Sequence, residues 1–193
     1  MSDISISIAK EDNLKEIIEI FNECVGDENP SVAYENQIDI NNPPLWILNK
    51  IKSNSILIET ANTEIRGFAQ IGDFLLAPSV EEFSQLGVYV KRKYRRSLIG
   101  ARLIMSIIHL AFTKQKTKIF SFVLANNRSS LLATARLFRP VGVLEKIAFI
   151  RNEFSDIHLF ERDLTYGFNL QESHFFSNHV ETYLNIKEIS NEI

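Results

Sequence analysis

The sequence predicts an α+β domain: a mixed, mostly antiparallel sheet of about seven strands flanked by helices, with a helical extension at the C-terminus. Three observations carry that prediction. Apolar alternation of period two and of helical period follow one another in the order β, α, a short second α, β, β, β, α, β, α, β, β and a terminal helix. Most connections are short, as hairpins require, but residues 82–124 form one strand–helix–strand unit whose crossover favours a parallel pair. The 193 residues, 45% hydrophobic and 23% charged, suit a single globular domain with a sizeable core.

Residues 4–9 alternate apolar and polar and read as a half-buried strand. Leu14, Ile17, Ile18, Ile20, Phe21 and Val25 then recur close to a helical period, with Gly26 as the stop. Residues 27–44, rich in Asp, Asn and Pro, read as a loop with room for a short helix, and residues 45–51 as one or two further helical turns. Strands at 56–60 and 65–71 join through the polar turn at 61–63 as a hairpin. Residues 81–90 form a strand with Leu86, Val88 and Val90 on one face. Ile99, Leu103, Ile107, Leu110 and Ala111 mark an amphipathic helix to about Thr113. Residues 118–125 are a strand, and a helix capped by Asn127 runs to Phe138, stopped by Pro140. Residues 143–151 and 156–164 are the last strands, and the tail reads as a loop and a final helix. The expected division is a domain over 1–165, with 166–193 packed on it or at a dimer contact.

Composition excludes several classes. A net charge of −3 argues against a chain drawn to nucleic acid by bulk attraction. No run approaches the length of a membrane span, and the first residues lack a leader's basic start and apolar centre, so the expected compartment is the cytoplasm. Cys24 is the only cysteine, which excludes an internal disulfide framework. His109, His158, His174 and His179 show no ligand spacing, so no metal is expected.

The chemistry concentrates at "VKRKYRRSLIGARL". Lys91, Arg92, Lys93, Arg95 and Arg96 place five cations in six residues just ahead of a helix N-terminus, whose unpaired N–H groups and partial positive charge favour phosphate. A polyphosphate fits this contrast; from charge alone, a solvated basic turn fits equally well.

At this junction the chain resembles the GNAT superfamily of acyl-CoA-dependent N-acyltransferases, whose pattern is V-x-P-x-Y-R-x-x-G-x-G-x-x-L. Val90, Tyr94, Arg95, Gly100 and Leu103 match it, while Arg92 replaces the proline and Leu98 the first glycine. Residues 65–71 resemble the family's third strand with its Gly-Phe pair, residues 123–130 its fifth strand ending in asparagine, and Leu137, Phe138, Gly142 and Val143 its closing helix and turn. The likeness in element order spans residues 4–164.

The resemblance implies transfer of an acyl group, acetyl first among them, from coenzyme A to a primary amine by direct attack in a ternary complex. It implies acetyl-CoA or another acyl-CoA as donor. It places the backbone of Val88 and Val90 along the pantetheine arm and the amides of Arg95, Arg96, Ser97, Leu98, Ile99, Gly100 and Ala101 around the pyrophosphate. Asn127, with Asn126 as substitute, takes the place of the cofactor-contacting asparagine. The family's strand-borne base falls at Ser84, a poor base, so Glu82 is the nearest candidate and Glu81 the next. Phe138 stands where the family often has a proton-giving tyrosine, and a phenyl ring has no proton to give.

Two alternatives stay open. One resembles the N-acyl amino acid and autoinducer synthases, fed by an acyl carrier protein docked on the basic cluster, with Phe168, Phe175, Phe176 and Tyr183 lining an acyl tunnel. The other is a non-catalytic acyl-CoA-binding or interaction domain. The partners expected are acyl-CoA and an amine, with the carrier protein and a homodimer as open alternatives and neither nucleic acid nor a membrane span. Acceptor loops are expected at 27–44 and 74–79.

Overall fold

The computed structural model describes residues 4–27, 32–75, 77–167 and 169–181. One sheet of seven strands runs in the order β1-β2-β3-β4-β5-β7-β6. Its strands are β1 (Ile4–Ile8), β2 (Ile56–Ala61), β3 (Glu64–Asp73), β4 (Phe83–Val90), β5 (Lys118–Leu124), β6 (Arg139–Ile150) and β7 (Glu153–Asp163). The helices are α1 (Leu14–Val25), α2 (Leu45–Lys52), α3 (Ile99–Thr113), α4 (Arg128–Thr134) and α5 (Leu170–Phe176). Every pairing is antiparallel except β4 with β5, the crossover expected over 82–124.

Two apolar cores lie against the sheet. Ile17, Ile18, Phe21 and Cys24 of α1 and Ile47 and Ile51 of α2 pack with Ile56, Ile58 and Phe68. Ile99, Leu103, Ile107 and Leu110 of α3 pack with Leu57, Ala69, Ile71 and Ile119, joined by Phe138, Phe160 and Val180. Gly67 lets α3 close on β3, because a Cβ there would stand 2.8 Å from Tyr89 O and 3.0 Å from Leu103 Cδ1.

Two buried ion pairs hold helices to the sheet. Glu59 of β2, fully buried, takes Arg66 Nη2 at 2.6 Å and a two-pronged contact from Arg102 of α3, both prongs at 2.8 Å. Arg162 of β7 grips Glu172 of α5 through two bonds of 2.6 and 2.8 Å and reaches Leu137 O at 3.2 Å. Burial works to raise the Glu172 carboxyl, but Arg162 and the Asn169 N–H outweigh it and hold the group below its ordinary value.

Some boundaries differ from expectation. The helix after Asn127 ends at Thr134 instead of Phe138, and Phe138 turns into the core. Pro140, read as a helix stop, lies in β6, which begins at Arg139 instead of residue 143. β6 is an edge strand, where a missing N–H costs no ladder bond. The 3-10 turn at Pro78–Val80 precedes β4, which starts at Phe83 instead of residue 81. Over the described part of 27–44 the chain forms bends and turns with no helix.

Candidate active site

The parallel pair of β4 and β5 is short. Registered partners run from Phe83 opposite Lys118 to Leu86 opposite Ser121, whereas β4 continues to Val90 and β5 to Leu124. Beyond Leu86 the two strands part. β4 keeps its antiparallel partner β3 as far as Val90 opposite Gly67, so only its β5-facing edge opens.

The alternation of peptide groups decides which residues face that gap. Lys91 N bonds Arg66 O on the β3 side at 2.9 Å, and Glu82 O accepts Thr117 N on the β5 side at 2.9 Å. Even-numbered positions of β4 therefore turn their N–H and C=O toward β5. Val88 presents both groups to the gap and Val90 presents its N–H, while Val90 O accepts from Arg95 Nε at 3.0 Å.

The start of α3 closes one end of the gap. Arg102 N makes the bond to Leu98 O at 2.9 Å, leaving the amides of Gly100 and Ala101 ahead of it outside the helical ladder. Ser97 Oγ donates to Tyr94 O at 2.7 Å and accepts a long bond from Ile99 N at 3.4 Å, which braces the turn. Gly100 lines the cleft, and a Cβ added there would find Val90 Cγ2 as its nearest described neighbour, at 3.9 Å. Packing does not demand this glycine; closeness of a ligand to the backbone would. Leu98, in helical backbone at φ −75°, needs no glycine for its conformation, and its half-exposed side chain stands on the cleft wall instead of entering the core.

The basic cluster is mostly spent inside the fold. Arg92 Nε and Arg95 Nη1 meet the two oxygens of Asp27 at 2.9 and 2.6 Å, and the Arg92 N–H donates to Glu23 at 2.6 Å. Lys91 and Lys93 bond Glu64 at 3.0 and 2.8 Å, and Tyr94 donates to the same carboxylate. Hydrogen bonds from Lys93, Tyr94 and Lys91 hold the Glu64 carboxyl down at about 2. Arg96 is different: it is exposed, has a left-handed φ of 61°, and among the described residues has no ion-pair partner. Arg128 of α4 and Arg136 of the turn after it are likewise exposed and without an ion-pair partner among the described residues, and all three line the cleft. Sequence reasoning missed Arg128 and Arg136, because single arginines on a short helix carry no pattern.

The cleft has a volume of about 1470 Å³ and passes between the two faces of the sheet. Ala101, Ile104, Met105, Leu137 and Phe175 line it on the α3 side; Phe21, Cys24, Tyr34 and Tyr89 line it on the α1 side. Asn127 also lines it, although its Oδ1 is engaged with Ser130 N and Ser129 Oγ in the helix cap. Among the described residues the carboxylates of the lining are Asp27 and Glu172, both paired with arginine. Glu82 is not brought to the cleft: it is exposed ahead of β4 and accepts a 3.4 Å bond from Thr117. Phe176 lines a separate cavity of about 340 Å³ with His109 and Phe112, and Phe168 and Tyr183 lie outside the described residues. A metal-binding group of three or more His, Cys, Asp or Glu is absent among the described residues, and no described helix is long and apolar enough to cross a membrane.

Comparison with known proteins agrees with this geometry. The model of the acetyltransferase (GNAT) family matches residues 14–142. An N-acetyltransferase from Staphylococcus aureus Mu50 superposes with a TM-score of 0.79 at 22% identity, covering 84% of this chain and 99% of that one. A ribosomal-protein-alanine N-acetyltransferase from Brucella melitensis gives 0.77 at 22%, covering 82% and 99%. A GNAT superfamily phosphinothricin acetyltransferase from Sinorhizobium meliloti, in complex with acetyl-CoA, gives 0.77 at 16%, covering 84% and 89%. A search of curated protein sequences finds no match. The chain belongs to the GNAT family of acetyltransferases, enzymes that transfer acyl groups from coenzyme A.

Proposed function

We propose that this protein is an N-acyltransferase that moves an acyl group, acetyl in the first instance, from coenzyme A to a primary amine by direct attack in a ternary complex. The observation that carries the reading is the single cleft open on both faces of the sheet where β4 and β5 part. Its volume of about 1470 Å³ exceeds that of an ordinary one-ligand pocket, which suits two substrates meeting from opposite sides.

The residues fit the donor. Coenzyme A supplies an acyl group already activated as a thioester. The N–H and C=O of Val88 and the N–H of Val90 suit the amide-bearing pantetheine arm, and a backbone N–H near the acyl end polarises its carbonyl. The amides of Arg96, Ser97, Leu98, Gly100 and Ala101, with the side chains of Arg96, Arg128 and Arg136, suit the phosphates, while the N–H of Arg95 is taken by Arg92 O and that of Ile99 by Ser97 Oγ. Arg95 acts by fixing Val90 O; its guanidinium belongs to Asp27. Asn127 keeps its amide nitrogen for the ligand. The acceptor lies on the α1 side, against Phe21, Tyr34 and Tyr89, a wall that suits an amine with an apolar or aromatic body. Since Glu82 stands off the cleft, the ammonium proton leaves through water. The extension beyond residue 165 acts as part of the same domain, supported by the Arg162–Glu172 grip on α5.

Thiol release from acetyl-CoA, followed against a panel of primary amines with both substrates varied, tests this. Intersecting initial-rate lines are expected. Parallel lines would replace direct attack by an acyl-enzyme, and saturable binding without turnover on any amine would reduce the protein to a binder.

A further inference from the structure

Breaking the thioester leaves a thiolate, which needs a proton or a strong hydrogen bond. Several hydroxyls of the cleft wall are committed elsewhere. Tyr94 donates to Glu64, Ser97 to Tyr94 O, and Ser129 to Asn127. Phe138 has no hydroxyl and lies in the core. Tyr89 is placed differently. Its ring stacks on Phe68 at 4.5 Å between centroids and leans on Phe21 at 5.4 Å, and its oxygen accepts a bond from Gln70 Nε2 at 3.2 Å. An acceptor bond of that kind leaves the phenolic hydrogen to be used elsewhere.

Gly87 shows where that oxygen sits. A Cβ on Gly87 would stand 2.6 Å from Tyr89 Oη, so the hydroxyl lies directly over the β4 backbone, one residue past the last registered pair with β5. Glycine inside a strand usually marks a close approach, and here the approach is by this phenol, which with Gly87 stands on the wall of the cleft. Resting on the acyl-transfer reading above, we propose that Tyr89 is a catalytic residue whose hydroxyl gives its proton to the departing sulfur. The amine nitrogen bonds the acyl carbon, the C–S bond breaks, and its electron pair takes the phenolic hydrogen. The phenol is restored by the proton the new amide nitrogen sheds, relayed by water. The products are amide and thiol. Burial pushes the Tyr89 phenol up. The same enclosure raises the basicity of a thiolate forming beside it.

The test reads the thiol of bound coenzyme A through its thiolate absorbance as pH is raised. Tyr89→Phe keeps the ring stacking and removes the donor, so the bound thiol is expected to titrate about one pH unit higher than in the wild type. Gly87→Ala, which displaces the hydroxyl without deleting it, is expected to shift the thiol the same way. With acetyl-CoA and an accepted amine, Tyr89→Phe lowers kcat by roughly 100-fold with KM for acetyl-CoA within about twofold. A thiophenyl acetate donor, whose thiolate leaves without a proton, narrows that gap. If bound coenzyme A titrates identically in wild type and Tyr89→Phe, the hydrogen belongs to Gln70 and the proposal falls, while the acyl-transfer reading stands. If coenzyme A does not bind the wild-type protein, the acyl-transfer reading falls and takes this proposal with it.

Discussion

Glu59 and Asp27 are each gripped by two arginines, Arg66 and Arg102 in the first case, Arg92 and Arg95 in the second. Glu59 is 0% exposed and joins β2 to β3 and α3 within the body of the fold. Asp27 is 8% exposed, follows α1 and pins the basic turn at the edge of the cleft, where both it and Arg95 line the wall. The same chemistry therefore serves two ends. Around Glu59 it fixes a helix on a sheet. Around Asp27, together with Glu64, it engages Lys91, Arg92, Lys93 and Arg95, so that among the described residues of the cleft wall Arg96, Arg128 and Arg136 are the cations without an ion-pair partner, the ones the proposed function gives to phosphate.

The contrast is sharpest in stability. Glu59→Ala strands two arginines beside a dry interior and is expected to cost about 3–5 kcal/mol in denaturant unfolding, with the acetyl-CoA affinity of the folded fraction unchanged. Asp27→Ala, at a wetter site, is expected to cost roughly 1.5–3 kcal/mol and also to weaken acetyl-CoA, because Arg95 no longer holds Val90 O in place. Equal losses of stability with no change in affinity for either variant would erase the distinction drawn between them.

Arg96→Gly separates charge from backbone. Glycine accepts the left-handed φ of 61° at no cost, so melting temperature should rise slightly. Acetyl-CoA affinity should fall about tenfold, with a shallower dependence on salt, if that guanidinium meets phosphate. Calorimetric titration at two ionic strengths decides it.

Glu64 supplies the acid limb. Its carboxyl sits at about 2 in the fold against 4.5 ordinarily, so its contribution is present above pH 4.5 and is lost as pH falls toward 2. Glu64→Gln should flatten that part of the melting-temperature profile, and added salt should shrink the difference between the two proteins. The smallest effect is expected at Leu98→Gly. The backbone there is already helical, so acetyl-CoA affinity should rise by no more than a few-fold; a rise of a hundredfold would mean that Leu98 blocks the phosphate site.

Much of this was legible in the chain. Alternation through 81–90 and helical period from Ile99 located β4 and α3, and a strand's period of two already paired Val88 with Val90. Gly100 was singled out as a point of close approach, and the structure shows that packing does not demand a glycine there. Gly87 carried the same signal, a glycine within a strand, but only the fold brings the Tyr89 hydroxyl over it. Pro140 misled because a proline after a helix and a proline on an edge strand look alike in one dimension. Glu82 misled because nearness along β4 did not become nearness to the gap.

What the sequence determined by itself was local: which segments become strand or helix, and which peptide groups alternate to one edge. These follow from dihedral preference and periodicity over a few residues. The tertiary structure decided where the charges went. The five cations of residues 91–96 form a phosphate-seeking cluster until Asp27 and Glu64 arrive from 65 and 27 positions away, as Arg92 and Lys91 show, and take four of them. Ion pairing falls off with distance in space, and separation along the chain does not report it.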